Sequence, residues 1–109
     1  DVFYIHMDEE AAKENPIFGG RVAHGYLVLS FAAGQFVDPQ GKCVLANFGI
    51  ERLRFVKPLY PGDSMRAELT VKEKFLRKPD LAEVKWAAFV YNQRDEIVAA
   101  YDILTMNAV

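Results

Sequence analysis

Apolar positions follow two different periods along the chain, and the change falls near residue 43. Residues 1 to 7 mix apolar and polar side chains and read as an extended or turn segment. Asp8-Glu-Glu-Ala-Ala-Lys-Glu14 reads as a short acidic helix, with Asp8 as N-cap and Glu9 and Glu10 where the helix dipole favours negative charge. Asn15-Pro16 ends it, because the residue before proline is pushed out of the helical region. Gly19-Gly20 then marks a turn. From Val22 or His24 to Val37 the spacing predicts a helix that is apolar nearly all round, through Tyr26, Leu27, Leu29, Phe31, Ala32, Ala33, Phe36 and Val37. Such a helix belongs inside a domain. Asp38-Pro39-Gln40-Gly41 closes it with turn chemistry.

Beyond Cys43 the period becomes two, and four strands are predicted: Val44 to Val56, Ser64 to Leu76, Leu81 to Asn92 and Ile97 to Met106. Met65, Ala67, Leu69 and Val71 share one face of the second, and Val84, Trp86, Ala88 and Val90 one face of the third. The turns between them fall at 58–63, 77–80 and 92–96, the last reading as a hairpin. The expected fold class is α+β: one long helix wrapped by an antiparallel meander. One sheet from so short a chain leaves part of the helix bare, and that bare strip predicts a homodimer or a higher assembly of dimers.

A length of 109 residues sets one domain as the default. A hydrophobic fraction of 51% and a charged fraction of 26% are those of a folded domain and exclude disorder. The net charge of −2 gives no reason to expect nucleic acid as a partner. Cys43 is the single cysteine, which excludes an intrachain disulfide and a CxxC metal site and suits the reducing cytoplasm. No apolar run approaches the ~20 residues that span a membrane, and no signal peptide is expected. The opening on Asp1, without an initiator Met, reads as a piece of a longer chain.

Candidate chemistry gathers at two places. Asp1 and His6 bring a carboxylate and an imidazole to one short segment, and such a pair can hold and deprotonate a water. Spacing alone also describes a surface aspartate beside a structural histidine. His24-Gly25 opens the long helix, where unpaired N–H groups and the dipole favour an anion. The bland alternative is that Gly19, Gly20 and Gly25 make a turn and His24 simply begins the helix. Gly49 interrupts a strand and marks a bulge or a close backbone approach. Arg21, Arg52, Arg54 and Lys57 are individually ordinary solvated positions but together offer a patch for an anion.

Taken together, Asp1…His6, the run Phe18-Gly-Gly-Arg-Val-Ala-His-Gly-Tyr-Leu27 and Arg54-Phe55-x-x-Pro58-x-x-Pro-Gly-Asp63 resemble the MaoC-like hydratases of the hot-dog fold, over nearly the whole chain. The family includes (R)-specific enoyl-CoA hydratases. The general family has an Asn-Pro pair shortly after the catalytic aspartate; this chain has Tyr4-Ile5 just before the histidine, preceded by Phe3, and these aromatic residues are similar to the branch that hydrolyses oxepin-CoA in phenylacetate degradation. In that branch an aldehyde dehydrogenase domain precedes the hydratase domain, so the resemblance implies either a fusion of this kind or a stand-alone relative.

The resemblance implies a hot-dog domain over 1–109 that adds water to an activated double bond of an acyl-CoA. Asp1 and His6 would hold the water, and the Gly25 N–H would hold the thioester oxygen. Asn47, Phe48 and Gly49 would line the acyl pocket, with Ser30 and Arg54 also contacting substrate. Coenzyme A enters as part of the substrate, and neither a cofactor nor a metal is expected. Two rivals on the same fold are a non-catalytic acyl-CoA-binding domain and a thioesterase.

Overall fold

The computed structural model describes residues 3–36 and 40–109, apart from the side chain of Phe36. Three helices precede four strands: α1 (Tyr4–Met7), α2 (Glu9–Lys13), α3 (Gly25–Phe36), β1 (Val44–Phe55), β2 (Met65–Lys78), β3 (Leu81–Asn92) and β4 (Ile97–Ala108). The architecture is the expected α+β one. The segment read as extended or turn holds the single helical turn α1, with its Asp8 N–H bonded to the Tyr4 carbonyl. α2 begins as expected at Asp8, whose Oδ1 accepts from the Ala11 N–H at 3.1 Å.

The sheet order is β1-β4-β3-β2, all antiparallel. A full meander was expected, but only β2, β3 and β4 form one. β1 lies beyond β4, because the connection after it is too long and too proline-rich for a hairpin. The N–H groups of Val56 and Lys57 both reach the Val98 carbonyl, at 2.8 and 3.3 Å, and this fastens the end of β1 to the start of β4. The β3–β4 turn is the predicted hairpin, closed by Asn92 N–H to Glu96 O at 3.0 Å with Asp95 at φ 59°. β2 runs two residues past its expected end, to Lys78.

α3 crosses one face of the sheet. Val28 and Ala32, four residues apart on one helix stripe, are buried against Ala88, Val90, Ala99, Tyr101 and Ile103. The small side chain of Ala32, with no exposed surface, lets the helix backbone approach the sheet closely. Burial of these groups at about 25 cal/mol per Å² is the main force holding helix to sheet. The helix is not apolar all round in its surroundings, however. Tyr26, Leu27 and Phe31 stay exposed, and so do Val44, Leu45, Phe48 and Ile50 on edge strand β1.

The other face of the sheet carries charge. Asp102 is nearly buried and takes the Lys72 ammonium at 2.9 Å. Lys85 lies between Glu51 at 3.1 Å and Glu73 at 3.7 Å. These five side chains tie all four strands together across one face.

Candidate active site

Three segments meet at the start of α3, and backbone hydrogen bonds join them. Val22 is held by both of its backbone groups: its N–H donates to the Ile5 carbonyl at 2.9 Å, and its carbonyl accepts from His6 Nδ1 at 2.8 Å. The Ala23 N–H donates to the Leu59 carbonyl at 2.8 Å, and the Tyr60 hydroxyl donates to the Phe18 carbonyl at 2.7 Å. Thus α1, the segment entering α3 and the proline-rich connection after β1 form one unit. The turn at 15–19 is organised by Asn15, whose Oδ1 accepts from the Ile17 and Phe18 N–H groups, with Gly19 at φ 67°. That left-handed conformation favours glycine.

These segments enclose a cleft of about 800 Å³. Its walls are mostly apolar, among them Ile17, Phe18, Val22, Leu27, Phe55 and Leu59. The few polar groups that line it include His6, His24, Ser30 and Lys57. A largely apolar cleft with a few convergent polar groups is the usual form of a small-molecule site.

The Val22 carbonyl can only accept, so His6 Nδ1 carries the proton of that bond. In the neutral ring Nε2 then keeps the lone pair and is the basic atom. His24 stacks on His6 with ring centroids 4.0 Å apart and planes inclined by 24°. Desolvation first, and the neighbouring His6 second, push the His24 pKa below the ordinary imidazole value, which favours a neutral ring. The His24 carbonyl accepts from the Val28 N–H at 3.1 Å, so His24 is the helix-start residue expected, and the N–H of Gly25 opens α3.

Among the described residues Lys57 is the only lysine or arginine on the cleft wall, and it is paired with Glu96 at 2.5 Å. Lys57 above all, then Asn92 and Arg94, hold the Glu96 carboxyl at about 2, against an ordinary 4.5. A depressed folded-state pKa stabilises the protein above the unfolded value, and this is lost as pH falls from about 4.5 through about 2. The thermal midpoint is therefore expected to fall over this range in the parent chain. Glu96→Gln is expected to show a shallower fall, and identical profiles would remove Glu96 from the acid response.

The residues singled out from sequence do not all come together. His6, Gly25 and Ser30 line the cleft. Asp1 lies outside the described residues. Asn47, Phe48, Gly49 and Arg54 lie on β1 and are not part of the cleft wall. The register shift between Asn47 and Gly49 is the bulge that the glycine suggested, and a Cβ on Gly49 would meet Leu104 Cδ1 at 3.0 Å. Arg54 is exposed and donates to the Arg52 carbonyl at 3.4 Å. Arg52 itself has φ 56°, at the register shift between Glu51 and Arg54. Phe3 stands edge-on to His6 with centroids 6.1 Å apart. Phe55 and Leu59 were not anticipated as site residues, whereas Lys57 was, as part of an anion patch; the Arg54-Phe55-x-x-Pro58 motif was the signal that pointed there. Among the described residues no three His, Cys, Asp or Glu side chains gather as a metal site, and no helix is long and apolar enough to cross a membrane.

Comparison with known proteins places this geometry. The profile of the MaoC-like domain matches residues 1–88. Protein MaoC of Klebsiella aerogenes is 48% identical over 89 residues, which is 82% of this chain but 26% of that protein. The chain therefore spans about a quarter of the length of that relative. The structure of a monoamine oxidase regulatory protein from Archaeoglobus fulgius superposes with a TM-score of 0.86 at 34% identity, covering 97% of this chain and 72% of that one. The R-hydratase PhaJ1 of Pseudomonas aeruginosa gives 0.76 at 28% identity, covering 98% and 65%. A Mycobacterium tuberculosis protein described as a double hotdog fold gives 0.77 at 18% identity, covering 100% and 34%, which speaks to fold alone. The fold is thus the hot-dog fold, and the chain belongs to the MaoC-like domain family.

Proposed function

We propose that this domain is a hydro-lyase that adds water to the activated double bond of an enoyl-CoA. The observation that carries the reading is His6 on the cleft wall. Its Nδ1–H is committed to the Val22 carbonyl, which makes Nε2 the basic atom of a ring that lines the same cleft as Gly25. The likeness to an R-hydratase supports the same reaction class.

In this reading a water is held between the Asp1 carboxylate and His6 Nε2. Nε2 takes a proton as the water oxygen bonds to the β-carbon. The electron pair of the double bond moves through the α-carbon to the thioester oxygen, where the Gly25 N–H stabilises it. The proton then returns from the dyad to the α-carbon, so the net change is the addition of one water. The apolar walls keep other water away and strengthen each of these interactions. No cofactor is needed, because the thioester itself activates the double bond.

The finer substrate proposed is oxepin-CoA, where the same addition gives a hemiacetal that opens to an aldehyde. Phe3 beside His6 supports it as the aromatic substitution typical of that branch. The proposed setting is a cytoplasmic homodimer or an assembly of dimers, with an aldehyde dehydrogenase domain as fusion partner. Pairing two copies along β1 would cover Val44, Leu45, Phe48 and Ile50. Asn47, Phe48, Gly49 and Arg54 are proposed as substrate contacts within that dimer, and Ser30 from the cleft wall. Sedimentation is expected to give twice the chain mass, and Phe48→Asp to shift it toward one copy; a monomeric parent chain would remove this interface.

Crotonyl-CoA tests the reaction. Loss of the conjugated enoyl absorbance without thiol release is the expected result. Thiol release instead would make the domain a thioesterase, and binding with neither change would make it a carrier of acyl-CoA.

A further inference from the structure

Gly25 is a glycine for a reason that its backbone does not supply. Among the described glycines only Gly19 and Gly62 have positive φ, so Gly25 needs no left-handed freedom. What it lacks is room. A Cβ built on Gly25 would meet the Phe55 ring at Cζ, Cε2 and Cε1, at 2.5, 2.7 and 2.8 Å. The tip of the ring therefore rests on the Gly25 Cα. The backbone of Phe55 is fixed by pairing with Ala99 on β4, and Tyr26 stands edge-on to the ring at 6.4 Å. The side chain is 48% exposed and forms part of the cleft wall.

We propose that Phe55 is a specificity-determining residue whose ring limits the bulk allowed on the carbon next to the thioester carbonyl. The inference rests on the reading that the Gly25 N–H holds the thioester oxygen. A hydrogen bond of about 2.9 Å at that N–H brings the carbonyl carbon and its substituents to the neighbourhood of the Gly25 Cα. The ring already fills the space on that Cα, so a straight enoyl chain passes and a branch at the α-carbon presses on the ring. Gly25 and Phe55 form a matched pair: the absent side chain of one makes room for the ring of the other.

The test compares crotonyl-CoA with its 2-methyl derivative in the parent chain and in Phe55→Ala, with Phe55→Leu as the milder variant should the alanine form fail to fold. One methyl group in an apolar pocket is worth about 10- to 200-fold in selectivity. The ratio of kcat/KM for the branched over the straight substrate is expected to rise at least about tenfold in Phe55→Ala. A ratio within about twofold of the parent value overturns the proposal. A parent chain that hydrates neither substrate fails at the earlier step, the hydratase reading itself. The contact is then still measured by melting: Gly25→Ala is expected to lower Tm with Phe55 present and to have a smaller effect beside Phe55→Ala. Equal effects in both backgrounds overturn the pairing whatever the activity.

Discussion

His6→Asn is expected to lower kcat for enoyl-CoA hydration by about 10²- to 10⁴-fold, the range that a positioned acid–base group contributes. Asparagine is the informative replacement. Its amide nitrogen sits near the position of Nδ1 and can still donate to the Val22 carbonyl, so the join between α1 and the segment entering α3 is kept. What disappears is the basic Nε2. A large loss in kcat with a parent-like melting curve assigns the imidazole to chemistry; unchanged turnover removes it. His6→Ala adds a second cost, because the Val22 carbonyl loses its partner in a residue that is 5% exposed. A buried polar group left unpaired costs about 1–3 kcal/mol. The two variants therefore separate the catalytic part of His6 from its structural part. Asp1→Asn is the companion experiment, and retained hydration there would leave His6 as the sole base.

The second large effect concerns stability. Ile103→Ala is expected to cost about 2–5 kcal/mol in denaturant unfolding, as large-to-small changes do in packed cores. Ile103 is 3% exposed and lies in register with Ile50 on β1 and Trp86 on β3. It shares one cluster with Val28 and Ala32 of the helix. Removal of its branched end leaves a space bordered by helix and sheet, which a rigid strand cannot close. A total stability of about 5–15 kcal/mol is usual for a domain, so the loss is a large share of the whole. A cost below about 1 kcal/mol would mean that the helix settles into the gap.

The strands were legible because alternation is a local property. Leu81–Asn92 has in the structure the bounds that its alternation predicts, and Ala88 and Val90 lie on the core face as their spacing requires. Strand order was not legible. The period of β1 says that it is a strand but not that its neighbour is β4 rather than β2; the bonds from Val56 and Lys57 to Val98 decide this, and nothing in the local sequence announces them. α1 was missed for a related reason. Four residues are too few to show a helical period, and the turn is held from outside by Val22. The site shows the same division. His6, Gly25 and Ser30 could be named from chemistry and motif, and they line one cleft. The part played by Phe55 depends on where its ring ends in space, which the motif containing it does not encode.

The two edges of the sheet differ in what they offer to a neighbour. β1 shows Val44, Leu45, Phe48 and Ile50 to solvent, whereas β2 sets its exposed Val71, Phe75 and Leu76 among Arg66, Lys72, Lys74, Arg77 and Lys78, with Glu68 and Glu73. Two copies meeting along β2 would bring like charges together over much of the strand, and edge lysines of this kind are how sheet proteins discourage such contacts. The charged outer face, with Lys85 between two glutamates, is equally poor for stacking one sheet on another. An assembly that starts at β1 would meet at β2 an edge whose exposed apolar side chains are interleaved with lysine and arginine. The chain thus offers one apolar edge and guards the other with charge, a division that limits growth into fibres.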